Sequence, residues 1–139
     1  MEETVKLQLE DDLSFNIDLD GHSFKIDSAE EFGGKNRGPK PKNLMLAALG
    51  GCTGMDVASI MKKMKVPYDS LEIKVDGVLT ETHPRHFEKM HITYTVKGKD
   101  LDRKKVERAV SLSQDNYCGV TFNYRASMEI SHEINIVEA

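Results

Sequence analysis

The chain contains no tryptophan, and its aromatic residues are few: four tyrosines and five phenylalanines among 139 residues. Proteins that hold single-stranded nucleic acid stack bases on such rings, so that class of partner finds little to grip. Positive charge is not in excess either. The formal net charge is -4, which provides no general field for a phosphate backbone. Uninterrupted apolar runs fall far short of the roughly 18 residues that a membrane span needs. Residues 1–9 alternate charged and apolar side chains and lack the apolar centre of a secretory leader. These absences predict a soluble, cytoplasmic protein with neither nucleic-acid nor membrane partners. Cysteine is scarce as well. Cys52 and Cys118 are the two, far apart in sequence, with no CxxC and no zinc-ligand spacing. In such a compartment they are expected as reduced thiols or a redox-active pair rather than a structural staple. The histidines make no motif. His83 and His86 flank Pro84-Arg85 in a turn, His91 sits on the polar side of a strand, and His132 falls on an apolar side. No metal and no cofactor are predicted.

What is present reads as one domain over residues 1–139, long enough to bury a core. Val5, Leu7 and Leu9 alternate with polar residues, the period of a half-buried strand. Phe15, Ile17 and Leu19 repeat it, Asp20-Gly21 signals a tight turn, and residues 23–27 form a third short strand. Residues 30–42 are rich in glycine, proline and cations and read as a loop that delivers Arg37 just upstream of a long helix. After that helix, residues 71–79 and 87–97 alternate as two strands of a hairpin. Asp102 is placed to cap a helix over 103–116, with Val106, Ala109, Val110 and Ser113 as its buried stripe. Tyr117-Cys118-Gly119 interrupts it. Residues 120–124 suit either a helical turn or an extended link. Met128, Ile130, His132, Ile134 and Ile136 alternate in a terminal strand. The order βββ-α-ββ-α-β defines an α+β class.

Residues 41–65, the long helix, are the most apolar-rich stretch and carry Cys52. Leu44, Ala47, Ala48, Gly51, Cys52, Met55, Ala58 and Met61 recur at helical steps, while Met45, Leu46, Leu49, Val57 and Ile60 fill other faces. A helix apolar nearly all round is expected to be buried on most sides. Glycine inside a helix costs about 0.5–1 kcal/mol relative to alanine. Gly50, Gly51 and Gly54 therefore point to a neighbour that must come close to Cys52. Asp56 follows one turn later on the same face, and a carboxylate there needs hydrogen bonds or a cation. Close to a thiolate it would raise the thiol pKa, so it is not expected to activate Cys52. A buried structural aspartate is the plainer reading, just as two inert buried thiols are for the cysteines.

The segment running from Arg37 through Gly50-Gly51-Cys52, Asp56-Val57 and Ser59-Ile60, with the later Tyr117-Cys118-Gly119, resembles the OsmC/Ohr family. The likeness is nearest to its YhfA-like branch and covers most of the chain. It implies an intertwined homodimer, antiparallel sheets around long central helices, and active sites at the subunit interface. It also implies thiol-dependent reduction of organic hydroperoxides, with Cys52 attacking, Cys118 resolving, and a small-molecule or lipoyl-type dithiol as reductant. In the peroxidase branches an arginine held by a glutamate completes the site. Here the segment Pro41-Lys42-Asn43-Leu44 has no carboxylate, and no arginine precedes Arg37, which becomes the upstream candidate for the cation. The alternative is a non-catalytic dimer that serves as a redox sensor or binds an apolar ligand.

Overall fold

Asp20 and Gly21 both adopt positive φ, 52° and 78°. Two left-handed residues in succession match the right-handed twist of flanking strands. They join β2 (Ser14–Leu19) to β3 (His22–Ile26), and β1 (Lys6–Asp11) pairs with β2 on its other side. All pairings in this three-stranded meander are antiparallel. The computed structural model describes residues 1–139 and comprises two compact units, Met1–Met45 and Leu46–Ala139.

In the first unit, the strand expected from Val5, Leu7 and Leu9 forms as β1, but it is not half-buried. β1 is exposed along its length, with Leu7 48% and Leu9 50% accessible. Alternation fixes which side chains share a face; whether anything covers that face is a separate matter. After β3 the chain turns back through Asp27, whose buried carboxylate accepts backbone N–H groups from Ser28 (2.7 Å), Lys35 (3.1 Å) and Arg37 (3.2 Å). Burial works to raise its pKa, but the three N–H donors outweigh it and hold the carboxyl below the usual range.

The second unit is built on β5 (Phe87–Gly98), flanked by β4 (Tyr68–Leu79) and β6 (Glu129–Glu138). β4 and β5 form the expected antiparallel hairpin, and β6 runs parallel to β5. Met90, Ile92, Tyr94 and Val96 share one face of β5 and are almost wholly buried. Leu49, Val57 and Met61 of α1 (Leu44–Lys63) join this core, as do Val106, Ala109 and Val110 of α2 (Arg103–Leu112). Each large apolar side chain so placed contributes about 1.5–3 kcal/mol. Asp102 caps α2 as predicted, its Oδ1 accepting from the N–H of Lys104 at 3.0 Å.

Two readings of this unit need correction. First, α1 is not buried on most sides: Leu49, Thr53, Val57 and Met61 form one inward stripe, while Met55 is 75% accessible. A single chain supplies one covering layer, and the remaining apolar faces stay open. Taken as a window, Pro41–Lys63 does reach the length and hydropathy of a bilayer-crossing helix, by length and composition alone. Second, the α2 pattern ends earlier. At Ser113–Tyr117 the backbone widens into a π turn, with Cys118 N–H bonded to the Ser113 carbonyl at 2.7 Å. Of the two forms open to residues 120–124, the helical one is found, as part of α3 (Gly119–Arg125). The helix glycines also find their neighbour. A Cβ on Gly50 would lie 3.2 Å from Val75 Cγ2, and one on Gly54 3.1 Å from Ile73 Cγ1, so both admit β4 to close range. Gly51 faces open space.

Candidate dithiol site

Cys52 lies midway along α1 and is half-buried, with Asp56 one turn further on. Cys118 is buried where the π turn releases the chain into α3. The π turn has a direct consequence. Ser113 and Gln114 within it are buried, and it leaves Cys118 in extended backbone (φ -75°, ψ 101°) at the cap of α3. Both cysteines are free, and their sulfurs and a carboxylate oxygen of Asp56 all lie within 4.8 Å of one another.

Backbone donors at the start of α3 serve both sulfurs. Cys118 Sγ accepts the N–H of Thr121 at 3.4 Å, and Cys52 accepts the N–H of Val120. Even so, the Cys52 thiol is pushed up. Burial is the main cause; the hydrogen bond and charge of Cys118 and the charge of Asp56 add to it, and the Val120 N–H opposes them. The expectation that Asp56 is no activator agrees with this direction.

A buried polar network ties Asp56 to the core. Ser113 Oγ donates to Asp56 Oδ2 at 2.9 Å. An ionised carboxylate only accepts, so the Ser113 proton points at it. Ser113 must then accept from Thr53 Oγ1 (2.7 Å), and Thr53 accepts from the Tyr94 hydroxyl (2.6 Å) and from Gln114 Nε2 (3.1 Å). Gln114 Nε2 also donates to Tyr94 at 2.9 Å, and Arg125 Nη1 donates to the Gln114 carbonyl at 2.9 Å. Tyr94 is pushed up to about 12, chiefly by burial, which keeps its phenol protonated as a donor. The ring of His132 meets that of Tyr94 edge-on at 6.0 Å, and burial followed by the charge of Arg125 lowers the His132 pKa.

Two open clefts border this cluster, one at Cys118 and one at Asp56. One, of about 680 Å³, includes Cys118, Gly119, Phe122 and Arg125; the other, of about 640 Å³, includes Asp56, Ser59 and Met64, and Tyr117 borders both. Phe122 and Tyr117 are largely accessible, at 79% and 63%. Arg37 belongs to the first unit, where its guanidinium pairs with Asp11 Oδ2 (3.3 Å) and Asp12 Oδ2 (3.4 Å). The structure therefore joins Cys52, Cys118 and Asp56, and gives Arg37 partners of its own on the β1–β2 turn. Sequence reasoning missed Thr53, Tyr94, Gln114, Val120 and Arg125. The available signal was polar residues on apolar stripes: Thr53 on the inward face of α1, and Ser113 on that of α2.

An α+β chain whose central helix and short-helix cap bring two free thiols together is a dithiol protein of recognisable build. It belongs to the OsmC-like protein family, whose family model matches residues 33–133. It is similar to Protein YhfA of Escherichia coli strain K12, 34% identical over 104 residues that make up 75% of this chain and 78% of that protein. Among solved structures, a hypothetical protein from Aquifex aeolicus VF5 superposes with a TM-score of 0.83 at 28% identity, covering 98% of both chains. The organic hydroperoxide resistance protein OhrB of Bacillus subtilis shares the fold, with a TM-score of 0.64 at 23% identity over 97% of this chain and 98% of that one.

Proposed function

We propose that this protein is a cytoplasmic thiol-dependent peroxidase for organic hydroperoxides, working as a homodimer of single-domain chains. The observation that carries the proposal is the meeting of Cys52 and Cys118 sulfurs within 4.8 Å. The Cys52 thiolate attacks the distal oxygen of the hydroperoxide. The O–O bond breaks, the alcohol leaves with a proton, and Cys52 becomes a sulfenic acid. The Cys118 thiolate then attacks that sulfur, water is expelled, and a disulfide forms. An external dithiol reduces it by two exchange steps and leaves as its own disulfide. Cys52 is the attacking sulfur because it is the more accessible of the two. Phe122 and Tyr117 offer apolar surface to an alkyl group. Arg37 is proposed as the cation that would favour the thiolate once the dimer is assembled. Support for the dimer comes from the open apolar faces of α1 and from the family. The test is turnover of cumene hydroperoxide with dihydrolipoamide. Wild type should consume peroxide, Cys52→Ser should not, and equal rates in both would eliminate the mechanism.

A second reading has its own observation in favour. The Cys52 thiol is raised rather than lowered, and Arg37 already holds two carboxylates. Those facts suit a dithiol that oxidises reversibly as a sensor, or a module binding an apolar ligand, without rapid turnover. Stoichiometric formation of a Cys52–Cys118 disulfide by one equivalent of hydroperoxide, with negligible steady-state rate, would select the sensor.

A further inference from the structure

Two thiols and a carboxylate crowded together make an unusual charge problem. Ionising all of them would place three negative charges within a few ångströms, which repulsion and partial burial oppose. Hydrogen bonds from Val120 and Thr121 relieve part of it, as dipoles rather than as full charge. The donor set itself suggests what supplies the rest. Two sulfurs and one oxygen are ligands for a borderline-soft divalent ion that favours tetrahedral coordination.

We propose that Cys52, Cys118 and Asp56 form a zinc site, with two thiolates and one carboxylate as ligands and the fourth position open to the adjoining clefts. The geometry is close to what this requires. Zn–S bonds of about 2.3 Å and Zn–O bonds of about 2.0–2.2 Å at tetrahedral angles put the donor atoms roughly 3.5–3.8 Å apart. The donors here already lie within 4.8 Å of one another, so small side-chain rotations close the set. The outer contacts are in place too. Ser113 Oγ donates to Asp56 Oδ2 and orients the carboxylate, as outer partners of metal ligands do. Cys118 is held by the cap of α3, and Cys52 and Asp56 lie one turn apart on a long helix, so the backbone positions of all three ligands are set by regular structure. Sequence spacing could not reveal the set, because Cys52 and Asp56 share one helix and Cys118 arrives from elsewhere.

On binding, the hydrated zinc ion releases water ligands and forms two Zn–S bonds and one Zn–O bond, and the two thiol protons pass to solvent; no electron is transferred. The same sulfur lone pairs cannot serve both a metal and an S–S bond, so zinc and the disulfide exclude each other. The proposal does not depend on peroxidase activity, which is assayed on metal-free protein in the presence of a chelator.

The test is titration of reduced, metal-free protein with cobalt(II), followed by competition with zinc. One cobalt per chain should bind, with thiolate-to-cobalt charge-transfer absorption and the visible bands of tetrahedral cobalt, and zinc should displace it. Cys52→Ser and Cys118→Ser should each weaken that absorption, and Asp56→Asn should lower zinc affinity about tenfold or more. Protein oxidised beforehand with diamide should bind none. Absence of the charge-transfer band, or its persistence unchanged in either serine variant, overturns the site. Unchanged zinc affinity in Asp56→Asn overturns the carboxylate ligand. A second measurement needs no variant: zinc should slow alkylation of both cysteines by iodoacetamide in the wild-type protein, and equal rates with and without zinc overturn the proposal.

Discussion

Replacing Asp56 by asparagine keeps the side-chain shape and removes its charge. That charge raises the Cys52 thiol, so its loss lowers the pKa. The pH profile of Cys52 alkylation in chelator should move to lower pH, with faster reaction near neutrality; a shift the other way would contradict the electrostatics. Thr53 sits one residue from Cys52 and anchors the network from Tyr94 to Asp56. The Thr53→Val change leaves the Tyr94, Gln114 and Ser113 groups short of a partner in the interior. It should cost about 1–3 kcal/mol in urea unfolding. Little of this was legible beforehand. Cys52, Cys118 and Asp56 stood out because each is rare in its surroundings. Threonine, serine and glutamine do not, and their value depends on meeting across elements that the sequence does not order in space.

At the scale of elements, the glycines of α1 are readable in one respect only. Three glycines inside a helix announce a close neighbour, but not which one. Gly50 and Gly54 turn out to face Val75 and Ile73 of β4. The Gly54→Leu variant should therefore overpack against Ile73 and destabilise the fold by about 1–3 kcal/mol, measured by chemical denaturation. Strands and helices were otherwise recovered by their periods, including the β4–β5 hairpin and the Asp102 cap. The π turn at Ser113–Tyr117 was not, because a single extra residue per turn leaves no mark in the apolar spacing. Nor was the loop anchored on Asp27. Its carboxyl is depressed in the folded chain, so its contribution is present above the unfolded pKa and is lost as pH falls through the lower, folded value. Wild type should lose stability on acidification below about pH 5, and Asp27→Asn should be less stable at neutral pH with a flatter acid limb.

For the whole molecule, the informative surface is apolar and open. Met55 is 75% accessible on α1, and Leu7, Leu9 and Phe24 are accessible on the first sheet. Isolated exposed apolar residues are ordinary; a helix this apolar with so much of it uncovered is not. If a second copy covers α1, as proposed, Met55→Glu should yield monomers by light scattering while the far-ultraviolet dichroism is retained. A dimer unchanged by that substitution would move the interface away from α1. The α+β class was within reach of the sequence because alternation and helical spacing are local. The exposure of β1 and α1 was not, since burial depends on what lies opposite.

Cys118 has two duties at once. Its sulfur receives the Thr121 amide at the start of α3, and it is also the sulfur that would be consumed in forming a disulfide. The sulfurs, within 4.8 Å of each other, must close to about 2.05 Å to bond, which draws the Cys118 sulfur off that amide and slackens the first turn of the helix that bears Phe122. Exchange of the Thr121 amide with deuterated solvent should quicken on oxidation, making one backbone proton a gauge of the redox state of the pair.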